Sequence, residues 1–136
     1  MHLIIDGVSS NIQLMTTQAL IYRWLYDAVK IADMSPEGEP VIKSFAWPGS
    51  TDSDAISAYQ FIKESGIAVH CYPERQFVFI DVFSCKEFDL ERMIDHIIKQ
   101  FKIKQPRVVI LRRGVDMNSG KIIPATFESQ EDLNGI

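Results

Sequence analysis

Almost nothing in the bulk composition of this 136-residue chain announces a function. Basic residues do not cluster beyond Arg112 and Arg113 in "LRRG", and the net charge is −4, which argues against a dedicated nucleic-acid binder. No apolar run approaches the roughly twenty residues that a membrane span needs. The opening "MHLIIDG" lacks the basic-then-apolar order of an export signal. Cysteine is down to two, Cys71 and Cys85, expected as free thiols in a reducing cytoplasm. The three histidines, His2, His70 and His96, stand far apart without metal-ligand spacing. No glycine-rich loop follows a strand to cradle phosphate, and no G-x-S-x-G elbow surrounds a serine.

What is present is an ordinary globular composition, 46% hydrophobic and 24% charged, at a length that suits one domain with one modest core. "HLIID" reads as a first strand, stopped by Gly7 and the capping residues Ser9, Ser10 and Asn11. A helix is expected from about Ile12 to Asp33, its stripe formed by Leu14, Ile21, Leu25, Ala28 and Ala32. "MSPEGEP" ends it. Extended segments follow at "VIKSFAW", "ISAYQFIK", "IAVHCY" and "QFVFIDVFSC", the last reached through a turn at Pro73-Glu74-Arg75. A second amphipathic helix covers "KEFDLERMIDHIIKQFKI", with Leu90, Ile94, Ile97, Ile98 and Phe101 inward, and "RVVILRR" is a closing strand. The expected class is α/β (α+β): a two-layer βαβββαβ sandwich, its sheet largely antiparallel and its helices on one face. Residues from Gly114 onward are expected to be a polar, loosely held extension.

In "QFVFIDVFSC", Phe77, Phe79 and Phe83 point one way, and Val78, Ile80 and Val82 the other. A strand apolar on both sides needs both covered. Helices account for one side, and a second copy of the chain is expected on the other, as a homodimer.

Chemistry concentrates in "KESGIAVHCYPE", Lys63 to Glu74, and in Cys85 beyond it. Cys85 with His70 offers a thiol and a base, but no third group to orient them. Ser65 offers something else. Attack of its hydroxyl on the carbonyl of Glu64 turns the amide into an ester. Loss of the serine α-proton then eliminates the chain at Glu64, and the remaining dehydroalanine hydrolyses to a pyruvoyl group. Gly66 gives backbone freedom beside the bond, His70 is a base suited to neutral pH, and Ser57 can donate a hydrogen bond.

Together "ESGIAVHCYPE" and "DVFSC" resemble the "ESH-x-x-x-H-T-x-P-E" and cysteine blocks of the bacterial S-adenosylmethionine decarboxylase proenzymes, over roughly residues 2–113. By that resemblance Glu64-Ser65 is the self-cleavage pair, His70 and Ser57 are processing residues, and Cys85 is the proton donor to the product carbon. Glu74 stands where the family binds the substrate ribose, and Trp47 or Phe45 would stack on the adenine. The resemblance implies a domain over residues 1–113, cut into a β-subunit 1–64 and an α-subunit 65–136. It also implies a covalent pyruvoyl group that forms a Schiff base with S-adenosylmethionine and serves as its electron sink, in polyamine biosynthesis.

Departures from the pattern lie outside the processing residues. Gly66 replaces the usual histidine, Ala55 and Ala58 replace glycines, Tyr72 stands for tryptophan and Cys71 for threonine. They leave open a pyruvoyl-dependent decarboxylase of ornithine or arginine, and an uncleaved homologue that binds or regulates. Elsewhere, Cys71 is expected to pack, His96 to be solvated, and Trp24 to lie in the core with Tyr22 and Tyr26 at its rim. Asp81 needs a partner inside its apolar strand. Arg112 and Arg113 read as a solvated strand end.

Overall fold

Period-two alternation becomes a seven-stranded antiparallel sheet in the computed structural model, which describes residues 1–46 and 55–129. In chain order the elements are β1 (His2–Ser9), α1 (Ile12–Thr16), α2 (Gln18–Ile31), β2 (Val41–Phe45), β3 (Ala55–Ile62), β4 (Ser65–Tyr72), β5 (Phe77–Ser84), α3 (Leu90–Phe101), β6 (Ile103–Val115) and β7 (Ile122–Ser129). The strands lie in the order β2-β3-β4-β5-β1-β6-β7. The expected α/β two-layer arrangement holds. Four strands, one more than in the βαβββαβ order, separate the long helices, and β7 adds another.

Register explains why one face is the core. Ala58, Val69, Ile80, Ile5 and Val108 lie side by side across five strands, with Ile67, Val82, Leu3 and Ile110 in a neighbouring row. All of these are buried. The helices cover them with Met15, Ile21, Leu25, Ala28, Met93, Ile97 and Phe101. The predicted stripe of the first helix is buried throughout. In α3 the stripe is rotated slightly: Met93 is fully buried and Ile98 only half.

The single helix expected over 12–33 is two. Thr17 is extended, with φ −118° and ψ 108°, between α1 and α2. Two adjacent β-branched threonines disfavour helix there, and the Thr16 hydroxyl turns back to donate to the Ile12 carbonyl at 2.8 Å. Caps fix the ends: Asn11 accepts from the Leu14 amide, and Asp89 from that of Arg92.

Residues 122–129 are also not the irregular tail expected from Gly114 onward. They pair with β6 as a hairpin, with a register shift between Arg112 and Gly114. Among the described residues no helix is long and apolar enough to cross a membrane.

Among the described residues, the second face of the sheet has no helix on it. Phe77 and Phe79 stay more than a third exposed there, as do Tyr59, Phe61 and, on the hairpin, Phe127. Phe45 of β2 meets Tyr72, Tyr72 meets Phe79, and Phe79 meets Phe77, all edge to face. Such a ladder of rings facing water is a surface that another protein face would cover, at on the order of 2 kcal/mol per ring.

Candidate active site

The β3–β4 ladder sets Ser57 directly opposite His70 on the open face. Their side chains meet in a hydrogen bond, Ser57 Oγ to His70 Nδ1 at 2.8 Å. A shallow cavity of about 240 Å³ lies over them, lined also by Val41, Lys43, Tyr59 and Ala68. Phe45 and Glu74 lie towards this same end of β3 and β4, Phe45 at the end of β2 and Glu74 in the exposed β4–β5 turn. Trp47 lies outside the described residues.

The Glu64-Ser65 bond sits at the other end of β4. Ser65 pairs with Ile62 on one side and Ser84 on the other, and its φ is 153°, a region sparsely populated by residues with a Cβ. Holding it there costs on the order of 1–3 kcal/mol, stored at the bond expected to break. The carbonyl of Glu64 accepts from the Cys85 amide at 2.9 Å. That donor points where negative charge would develop if the Ser65 hydroxyl added to the carbonyl carbon. Behind the bond, the Ser35 amide donates to a carboxylate oxygen of Glu64 at 3.2 Å, and the Lys63 amide donates to the Ser35 carbonyl at 2.9 Å. The proline-rich segment thus clamps the junction in place.

These are two clusters, not one. Ser65 opens β4 and His70 lies five residues along it, so at ~3.3 Å per residue they lie about 16 Å apart. Glu64, Ser65 and Cys85 come together at one end, and Ser57 and His70 at the other, with Phe45 and Glu74 beyond them.

Other candidates resolve simply. Cys71 is fully buried, and desolvation pushes its thiol up to about 12, so it packs and does not react. Asp81 finds its partner in His2, whose Nε2 is 3.0 Å away. Asp6, nearby on the open face, has its carboxyl pKa raised by burial and then by Asp81, against the pull of Arg107. Arg112 is held by both oxygens of Glu87 at 2.8–2.9 Å, and Arg113 lies over the Phe83 ring. His96, expected in solvent, instead stacks on Trp24 with ring planes 5° apart. Trp24 is core, and Tyr22 and Tyr26 form its exposed rim.

Sequence reasoning does not single out Tyr59. Its ring lies against Gly66, so that a Cβ on residue 66 would collide with the phenol oxygen and ring carbons. Only the strand register brings the two together.

Comparison with known proteins gives the family. A family model described as S-adenosylmethionine decarboxylase matches residues 1–114. The S-adenosylmethionine decarboxylase proenzyme of Pyrococcus furiosus is 27% identical over 134 residues, spanning 98% of this chain and 91% of its own. That of Pyrococcus abyssi is 36% identical over 80 residues, 58% of either chain. The crystal structure of the adenosylmethionine decarboxylase of Aquifex aeolicus shares the fold at a TM-score of 0.62, with 23% identity over 77% of this chain and 82% of that one. The chain belongs to the S-adenosylmethionine decarboxylase family.

Proposed function

We propose that this protein is a self-processing, pyruvoyl-dependent decarboxylase of S-adenosylmethionine, cut between Glu64 and Ser65, and that two copies complete each site. The observation that carries the reading is the strained Ser65 beside a carbonyl already held by a backbone donor.

Processing needs only groups of the chain and water. The Ser65 hydroxyl adds to the Glu64 carbonyl carbon and the C–N bond breaks, leaving an ester and a free amine on residue 65. A base removes the α-proton of residue 65, the C–O bond breaks, and Glu64 departs as a carboxylate with the electron pair. Water then displaces ammonia, leaving a ketone at the new amino end. Strain at Ser65 is relieved in the first step, and the Cys85 amide steadies its oxyanion.

The base is the Ser57–His70 pair, and it comes from the second copy. Five residues of strand keep a chain's own His70 out of reach of its Ser65. Packing two open faces with antiparallel β4 strands would bring each copy's Ser57–His70 end onto the other's Ser65–Cys85 end. The same packing would cover the exposed rings and take water away from Cys85.

The pyruvoyl group supplies a carbonyl that takes up the substrate amine and holds the electron pair left by loss of CO₂. The Cys85 thiol returns a proton to the substrate's former α-carbon. Glu74 offers its carboxylate to the ribose hydroxyls, and Phe45 offers a ring to the adenine. The product is the aminopropyl donor of polyamine synthesis, made in the cytoplasm where both thiols stay free.

Intact mass tests the reading: wild-type protein gives two fragments and Ser65→Ala one. Release of CO₂ from carboxyl-labelled S-adenosylmethionine, and not from ornithine or arginine, fixes the substrate. A wild-type chain that stays whole, with residue 65 an unmodified serine, overturns it.

A further inference from the structure

We propose that Tyr59 is a positioning residue for the carbonyl group made from Ser65, its ring supplying from β3 the wall that residue 66 lacks. The inference rests on the processing reading above. Tyr59 stands opposite Ala68 on the open face, and Gly66 is the next residue along that face of β4. Across a small alanine, the phenol reaches Gly66 and occupies the place of its missing Cβ. The φ of Gly66 is not among the positive values, so its backbone does not ask for glycine. The ring does. Phe61 braces that ring edge to face, with centroids 4.7 Å apart.

The need for such a wall follows from the cut. Once Glu64 is released, residue 65 becomes a chain end tethered through glycine, the residue with the widest backbone freedom. Its ketone must still present one face to an incoming amine, and small misplacements at a reacting centre cost rate steeply. The bulk that residue 66 lacks stands on the neighbouring strand. Tyr59 and Gly66 are therefore one device in two places: the ring fits only if residue 66 is bare, and the bare residue is held only by the ring.

The test compares purified wild type with Tyr59→Phe, Tyr59→Val and Tyr59→Ala, each scored for cleavage by intact mass. Two rates are measured on the cleaved proteins: decarboxylation, and capture of the ketone by phenylhydrazine without substrate. Removing the ring lowers kcat about tenfold or more with little change in KM, while phenylhydrazine capture becomes faster because a shielding wall has gone. Tyr59→Phe keeps both rates within about threefold. Gly66→Ala gives little fragment, and Tyr59→Val combined with Gly66→Ala restores cleavage. A merely structural tyrosine would not move the two rates in opposite directions. Unchanged rates in cleaved Tyr59→Val and Tyr59→Ala overturn the proposal, as does a double variant that cleaves no better than Gly66→Ala. A wild-type protein that forms no hydrazone defeats the processing reading instead, so the two failures are distinct.

Discussion

The backbone amide of Cys85 donates to the carbonyl oxygen of Glu64 at 2.9 Å, tying the loop after β5 to the last residue before β4. On the proposed reading one residue would serve two stages with two different atoms, its amide at the bond to be cut and its thiol at the substrate afterwards. Cys85→Ala keeps the amide, so it should cleave at close to the wild-type rate and then lose at least about a hundredfold in decarboxylation. Cys85→Pro removes the donor and should slow cleavage by roughly a hundredfold. Fragment accumulation in freshly translated protein, followed on a denaturing gel, separates the two. Equal cleavage in both variants would take the amide out of the mechanism.

The distance between Ser65 and His70 gives a test of the composite site. Neither Ser65→Ala nor His70→Ala should cleave when made alone. Co-expressed, they should form mixed pairs in which Ser57 and His70 of the Ser65→Ala copy would meet Ser65 and Cys85 of the His70→Ala copy. One chain of each mixed pair should then be cut, and it should be the His70→Ala chain. Mass spectrometry identifies it by its altered residue. If co-expression leaves both chains whole, the site does not draw on a second copy.

The alternation of β5 and the stripe through α2 were legible in the sequence because burial repeats with periods of two and 3.6. Glu64, Ser65, His70 and Cys85 could be picked out by residue type, and the structure sets Glu64, Ser65 and Cys85 at one end of β4 and His70 towards the other. Their spacing misled in one respect. Five positions read as closeness along a line of text, yet in a strand they are a distance of about 16 Å. β7 was hidden because "IIPATFES" carries a proline and is exposed along most of its length, so only pairing with β6 makes it a strand. His96 and Trp24 are 72 residues apart, and Tyr59 meets Gly66 only through the register of β3 with β4. No local pattern encodes either contact.

Sheet order predicts what becomes of the halves after cleavage. Fragment 1–64 contributes β1, β2 and β3, and fragment 65–136 contributes β4 to β7. β1 lies between β5 and β6 of the other fragment, and β3 is laddered to β4. Three ladders thus join the fragments, across a shared core. They should elute as one species from gel filtration in native buffer and part only in denaturant. Separation under native conditions would contradict this sheet order.

The Trp24–His96 stack predicts a pH dependence of stability whose sign follows from burial. The imidazole lies flat on the indole, with centroids 5.7 Å apart, and its Nε2 is 3.5 Å from the Trp24 carbonyl oxygen. Desolvation lowers its pKa from the ordinary 6.5, against smaller opposing pulls from that carbonyl, Asp27 and Asp95. A histidine with a depressed pKa binds fewer protons folded than unfolded, so stability rises with pH through that window. The contribution is complete above about pH 6.5 and fades as pH falls towards the folded-state value, because the unfolded chain takes up the proton first. Melting temperatures at pH 7.5 and 5.5 should therefore differ, and His96→Phe, which keeps a ring on Trp24 but cannot titrate, should narrow that difference. Lys99 and Asp95 pair with each other on the exposed side of α3 at 2.9 Å and remain in the variant, so they do not mask the change. A difference as wide in His96→Phe as in the wild type would mean that His96 is solvated in both states and that the stack does not govern its proton.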